Sequence, residues 1–201
     1  MPDDSDRLIQ LAVENGLVYW LDLRTGKQFI RPAPAESCAT TPSLPVKLDE
    51  NASDLLAAVR AALETVGWQS ELNGPTFHIV PVNGSAFRYR ILIDVDDTLR
   101  TIVVYGVFPI AVPEDRRPAV SELITRLNWV FTLGALEMDF SDGDIRYRTG
   151  CDVEGGTLTP GMVLTMLGNV AASVDRYGGA LMRVVFGGES PEVVAQSEID
   201  G

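Results

Sequence analysis

The sequence predicts an α+β domain: an antiparallel sheet with helices on one face, in the order α-β-β-β-α-β-β-α, carrying an N-terminal helix and hairpin as an extension. Three observations predict it. Apolar residues recur at helical spacing in three separate runs, near 54–66, 118–133 and 160–186. Between them lie segments bounded by turn residues such as Asn73-Gly74-Pro75 and Asp142-Gly143. In the clearest of these, Phe87, Tyr89, Ile91, Ile93 and Val95 share one side while Arg88, Arg90, Asp94 and Asp96 share the other. That alternation belongs to an antiparallel sheet with one wet face.

Each element follows in order. Ser5 to Glu14 carries apolar residues at 8, 9, 12 and 13, a short helical stripe capped by Ser5 or Asp6 and closed by Asn15-Gly16. Leu17 to Leu23 and Gln28 to Arg31, joined by Arg24-Thr25-Gly26-Lys27, read as a hairpin. Residues 1–31 are thus an extension, and residues 32–51, with four prolines, a linker that sustains neither a helix nor a central strand. Asp54 to Val66 presents Leu55, Leu56, Val59, Leu63 and Val66 on one face, with Asn51 or Ser53 as cap and Gly67 as stop. Strands follow over Trp68 to Val80, Phe87 to Val95 and Leu99 to Phe108. Pro118 suits the first turn of a helix to Leu133 with Val120, Leu123, Ile124, Leu127 and Val130 inward. Ala135 to Phe140 and Ile145 to Cys151 form a hairpin, and a helix from Thr159-Pro160 is interrupted at Gly178-Gly179 and resumes to Phe186. The main domain spans 52–189, and 190–201 is expected to be a flexible tail.

Composition narrows the function classes. The 201 residues include 28 acidic and 16 basic side chains, a formal charge of −12. Such a surface repels phosphate backbones and anionic lipids, so neither nucleic acid nor membrane is expected as a partner. The chain opens on Met-Pro-Asp-Asp-Ser-Asp, without a charged and then apolar leader, and is expected to be cytoplasmic. Cys38 and Cys151 lie far apart with no second thiol near either; two reduced thiols are expected, with a long-range disulfide as the alternative. The lone histidine, His78, sits in the apolar run Thr-Phe-His-Ile-Val and reads as a structural strand residue.

Two motifs imitate catalytic or metal-binding sites. Ile-Leu-Ile-Asp-Val-Asp-Asp-Thr-Leu resembles the opening of haloacid dehalogenase phosphatases, in which Asp94 would be the nucleophile and Asp96 the acid and base, with magnesium between them. A crossover helix should then follow, yet Arg100 to Phe108 is another strand, so Asp96-Asp97-Thr98 marks a hairpin turn. The only lysines, Lys27 and Lys47, lie upstream, where the superfamily needs one downstream. Asp139-Phe-Ser-Asp-Gly-Asp imitates a calcium loop, but setting Gly143 at the sharp turn puts Met138 and Phe140 where oxygen ligands belong. No metal, cofactor or catalytic residue is expected.

Several motifs recur together in one order: Pro113-Glu-Asp-Arg-Arg-Pro118, Arg126-Leu-Asn128, the Gly134 to Asp144 hairpin, Arg146-Tyr-Arg148, Asp152-Val-Glu154 and Asp175-Arg-Tyr177. Over residues 53 to 189 the chain resembles the YbjN-like family of bacterial proteins, labelled sensory transduction regulators. The resemblance implies a fold similar to type III secretion chaperones, which bind other polypeptides and commonly pair into dimers. It transfers no catalytic residue. The chain departs from the family pattern at Gly178-Gly179 and at Trp129, where a smaller residue is common. A non-catalytic, chaperone-like protein-binding module is therefore expected, with Arg88, Arg90, Trp129, Arg146 and Arg148 as candidate partner-binding residues. A homodimer is among the states implied, resting on the resemblance and on the small residues Gly168, Ala171, Ala172 and Ser173 of the last helix. Half-burial in the core is the alternative reading of Trp129.

Overall fold

The computed structural model describes residues 8–14, 17–22, 28–32, 53–73, 77–84 and 87–200. The chain is α+β, with two antiparallel sheets. The first joins β1 (Leu8–Glu14), β2 (Leu17–Asp22) and β3 (Gln28–Pro32) in that order. Residues 8–14 are therefore a strand and not the expected helix. A seven-residue segment with five apolar positions fits either period, and pairing decides it: Glu14 lies opposite Leu17, so Asn15-Gly16 stands between two paired strands, a two-residue hairpin signal. Apart from Pro32, the proline-rich segment lies outside the described residues, and with it Cys38 and any pairing to Cys151.

The second sheet has the order β4-β5-β6-β7-β9-β8, comprising β4 (Glu71–Asn73), β5 (Phe77–Asn83), β6 (Arg88–Asp96), β7 (Thr101–Ala111), β8 (Ala135–Met138) and β9 (Asp144–Asp152). All neighbours are antiparallel. His78 lies in β5 opposite Ile93. The inward side of β6, β7 and β9 carries Ile91, Ile93, Ile102, Val104, Ile145 and Tyr147, all buried. Helices α1 (Asp54–Val66), α2 (Arg117–Asn128) and α3 (Pro160–Val185) meet the same core. Of the two candidate caps of α1, Ser53 serves: its Oγ accepts from the Leu56 amide at 3.0 Å, and Gly67 closes the helix at φ 66°.

Helix α3 runs unbroken through Gly178-Gly179, against expectation. Its place over the sheet explains the first glycine. A Cβ on Gly178 would stand 2.5 Å from Cε1 of the Phe87 ring, which itself packs against Tyr89 and Phe108. Gly178 is there to let that ring reach the helix backbone, and Gly179 has nothing within 4 Å. Gly178→Ile is accordingly expected to cost about 1–3 kcal/mol through overpacking, while Gly179→Ala adds roughly 0.5–1 kcal/mol. Thermal denaturation of the two variants should move in opposite directions; a gain from both would refute the packing role. The small residues Ala171, Ala172 and Ser173 are buried within the chain, and α1 packs on α3. The dimer surface they suggested is thus already occupied.

The expected flexible tail is helix α4 (Pro191–Asp200). Val194 is fully buried and Ala195 nearly so. Arg183 holds it from α3, with Nη2 2.7 Å from Glu189 and Nη1 donating to Ser197 Oγ at 3.0 Å. Arg176 donates to the Glu198 carbonyl at 2.7 Å, satisfying a terminal acceptor of the helix. Among the described residues no helix is long and apolar enough to cross a membrane.

Candidate functional site

With the helices on one side, the outward side of β6, β7 and β9 is uncovered among the described residues. Register sets its contents in rows across the strands. Arg90 lies opposite Val107, Val107 opposite Arg146, and Arg146 opposite Glu137 on the edge strand. One row along, Leu92 meets Tyr105 and Tyr105 meets Arg148. The next brings Asp94 to Val103 and Gly150. Leu92, Val103, Tyr105 and Val107 are half-buried, so an apolar stripe crosses a face that the charges of β6 alone made look wholly polar.

Three of the four arginines around this stripe are held in place. Glu137 bridges two of them, with Oε2 2.8 Å from Arg146 Nε and Oε1 2.5 Å from Arg148 Nε. Burial pushes the Glu137 carboxyl up, but the hydrogen bonds and charges of Arg148 and Arg146 outweigh it and hold the group below its usual value. The Arg146 guanidinium also lies 4.4 Å from the centre of the Tyr105 ring, close enough for cation–π attraction. Arg88 donates to Asn83 at 2.7 Å, and Arg90 has no ion-pair partner among the described residues. Two shallow cavities meet at Arg90 and Val107. One of about 660 Å³ extends to Glu137, Phe140 and Arg146, and one of about 500 Å³ to Val82, Arg88 and Pro109.

Four of the five candidate residues thus share this face, and Trp129 does not. It sits just past the end of α2 and is 89% exposed, which overturns the half-buried core reading. Val130, expected inward, is also largely exposed. Helix α2 stops at Asn128, before the expected end at Leu133, because the Asn128 side chain turns to β8. Its Oδ1 accepts from the Leu136 amide at 2.9 Å and its Nδ2 donates to the Leu136 carbonyl at 3.0 Å. Sequence reasoning missed Leu92, Val103, Tyr105, Val107 and Glu137. Alternation alone places the β7 residues on one side, but only register puts them between arginines.

The acidic motif of β6 is built as a turn. Asp96 Oδ1 accepts from the amides of Thr98 at 2.8 Å and Leu99 at 2.9 Å, and the chain returns as β7 with Asp96 opposite Thr101. Asp94 lies mid-strand on the outward face. In the other acidic motif, Asp139 Oδ1 accepts from Ser141 N at 2.7 Å and Asp142 Oδ1 from Asp144 N at 3.0 Å, again turn contacts. Among the described residues no three His, Cys, Asp or Glu side chains are grouped to hold a metal ion.

The recurring motifs do structural tasks. Arg116 donates to the Val184 carbonyl at 2.5 Å, near the end of α3, and Arg117 to the carbonyls of Val112 and Phe140 at 3.1 and 2.7 Å. Tyr177 packs on Phe131, centroids 4.9 Å apart, and Phe131 on Tyr147. A family model described as "Putative bacterial sensory transduction regulator" matches residues 55–182. No curated protein matches the chain.

Proposed function

Because this chain belongs to the YbjN family, we propose that it is a non-catalytic, chaperone-like regulatory module of the cytoplasm that holds a protein partner against the open face of its sheet. The observation that carries this reading is the apolar stripe of Leu92, Val103, Tyr105 and Val107 set among Arg90, Arg146 and Arg148 on a face that no helix covers among the described residues. Exposed apolar surface rimmed by fixed charge suits recognition of a polypeptide. The phosphatase reading has no observation in its favour, since the Asp96 carboxylate is engaged by its own turn.

Tyr105→Glu tests this reading. The ring lies half-exposed under Arg146, so the change should leave the fold intact and lower the yield of partners captured from native cytoplasm by about tenfold or more, as loss of a central aromatic anchor does. Undiminished capture by a folded variant would refute the proposed face. Magnesium-dependent turnover of a phosphate ester that is lost on Asp94→Asn would refute the non-catalytic reading.

A further inference from the structure

Strand β6 is a charged strand between two uncharged ones. Neither β5 (Phe77–Asn83) nor β7 (Thr101–Ala111) contains an Asp, Glu, Lys or Arg, and these are the two strands β6 pairs with. The outward side of β6 carries Arg88, Arg90, Leu92 and Asp94 at alternate positions. The nearest charged side chains across the sheet are Glu71 of β4 and those of β9, each rooted two strand spacings away, about 10 Å. The charges of β6 are left uncompensated. Arg88 gives its Nε to the neutral Asn83, Arg90 has no ion-pair partner, and Asp94 has neither a hydrogen bond nor an ion pair among the described residues.

The β8–β9 side of the face differs. Arg146 and Arg148 share Glu137 there, and Asp139, Asp142 and Asp144 stand beside them, so acids outnumber bases. That side has no positive charge to offer an anion. The cavity of about 500 Å³ adjoins both Arg88 and Arg90 and is lined by no acid. It opens where the sheet parts. The pairing of β6 with β7 ends at Arg90 opposite Val107, and Pro109, which would continue it opposite Arg88, has no N–H to give.

We propose that the partner held on this face is an extended peptide segment whose alternate side chains run acid, acid, apolar, base over Arg88, Arg90, Leu92 and Asp94. The proposal rests on the reading of this face as a protein-binding surface and names the chemistry of its partner. Alternate residues of a strand stand about 6.6 Å apart, so an extended peptide laid along β6 repeats the spacing of its outward side chains. A chain-terminal carboxylate would answer one arginine and leave the other; two acids at alternate positions answer both, each in a charge-assisted hydrogen bond. The third side chain lands on Leu92 beside Tyr105, its neighbour in register, where apolar surface is half-exposed. The fourth meets Asp94. A slip by one alternate position sets an acid over Leu92 and the apolar side chain over Asp94, and the uncharged flanking strands offer the displaced charges nothing, so the match also selects register.

Isothermal titration of the full chain with end-blocked synthetic peptides tests the proposal. The matched probe is Glu-Thr-Glu-Thr-Leu-Thr-Lys, made in both chain directions because matching side chains over a sheet face does not set direction. The control is Lys-Thr-Lys-Thr-Leu-Thr-Glu. In one direction the matched probe should bind about tenfold or more tightly than the control. Unspecific attraction predicts the opposite order, since the control is cationic and the chain has a formal charge of −12. Arg90→Glu should weaken the matched probe by about tenfold or more. That variant should instead prefer Glu-Thr-Lys-Thr-Leu-Thr-Lys, in the same direction, whereas wild type ranks these two peptides the other way. Circular dichroism checks that the variant is folded, and an exchanged preference is a result a misfolded chain would not give. No binding of the matched probe in either direction, a control that binds as tightly, or an unchanged preference in Arg90→Glu would each overturn the proposal. In any of these cases, loss of partner capture by Tyr105→Glu still upholds the face as the partner site; peptide discrimination with capture unaffected by Tyr105→Glu upholds the preference of β6 and refutes this face as the site of the captured partner.

Discussion

Gly134→Ala is expected to lower the stability of the protein by about 3 kcal/mol or more. Two effects combine. Gly134 has φ 69°, where a Cβ costs roughly 1–2 kcal/mol. The added Cβ would also stand 2.5 Å from Tyr147 Cζ and 2.7 Å from the Arg148 carbonyl oxygen, and overpacking at such a site costs about 1–3 kcal/mol. Tyr147 has little room to yield. It is 1% exposed, and its hydroxyl lies 2.5 Å from the Leu133 carbonyl and 2.9 Å from Asn169 Oδ1. Burial also pushes its phenol pKa up, which keeps the single proton the hydroxyl has to donate. In urea titration the midpoint should fall, and the melting temperature should drop by about 6 °C or more at 2–4 °C per kcal/mol. Gly155→Ala is the control. Gly155 has φ 71° with nothing within 4 Å of the added Cβ, so only the backbone cost of roughly 1–2 kcal/mol applies. Equal losses at the two positions would show that the contact with Tyr147 is slack.

Asn128→Leu has the second large expected effect, about 2–4 kcal/mol, because it strips partners from two backbone groups of the edge strand at once. The Asn128 amide behaves as a one-residue neighbour to β8, giving one hydrogen bond to Leu136 and taking one from it. The outward side of β8 is thereby closed where an unpaired edge invites another strand. Asn128→Asp keeps the acceptor for the Leu136 amide and loses the donor to its carbonyl, so its loss should fall between wild type and Asn128→Leu. Denaturant titration reads the stability, and sedimentation velocity should show Asn128→Leu forming large species that wild type does not. Wild-type stability for Asn128→Leu would mean that solvent replaces the amide without cost.

How far the fold was readable depended on whether local pattern or distant contact decided each element. Helix α1 has its stripe, its cap and its glycine stop within fifteen residues, and all three are found. The alternation of β6 likewise determined which side is buried. Where the pattern was short, the distant partner decided: Leu8–Glu14 is a strand through pairing with β2. Helix α4 offers only Val194 and Ala195 to the core, too faint a stripe to read, and is held by Arg176 and Arg183 from the preceding helix. Gly178 resembled a break because the ring it admits, Phe87, is some ninety positions away. The candidate site followed the same rule. Arg88, Arg90, Arg146 and Arg148 were visible as outward residues of separate strands, but their common face, and the tyrosine and glutamate that hold two of them, depend on a register that local sequence does not state.

Helix α4 has a practical consequence for anyone trimming this protein. The family match ends at residue 182, three residues short of the end of α3 and ahead of all of α4. A gene truncated there would sever the longest helix within its final turn and discard Arg183 together with every side chain it grips. The severed surface would be greasy where the intact molecule is sealed, and insolubility of such a fragment would say nothing about the native protein. A stop codon placed after Asp200 avoids that artefact.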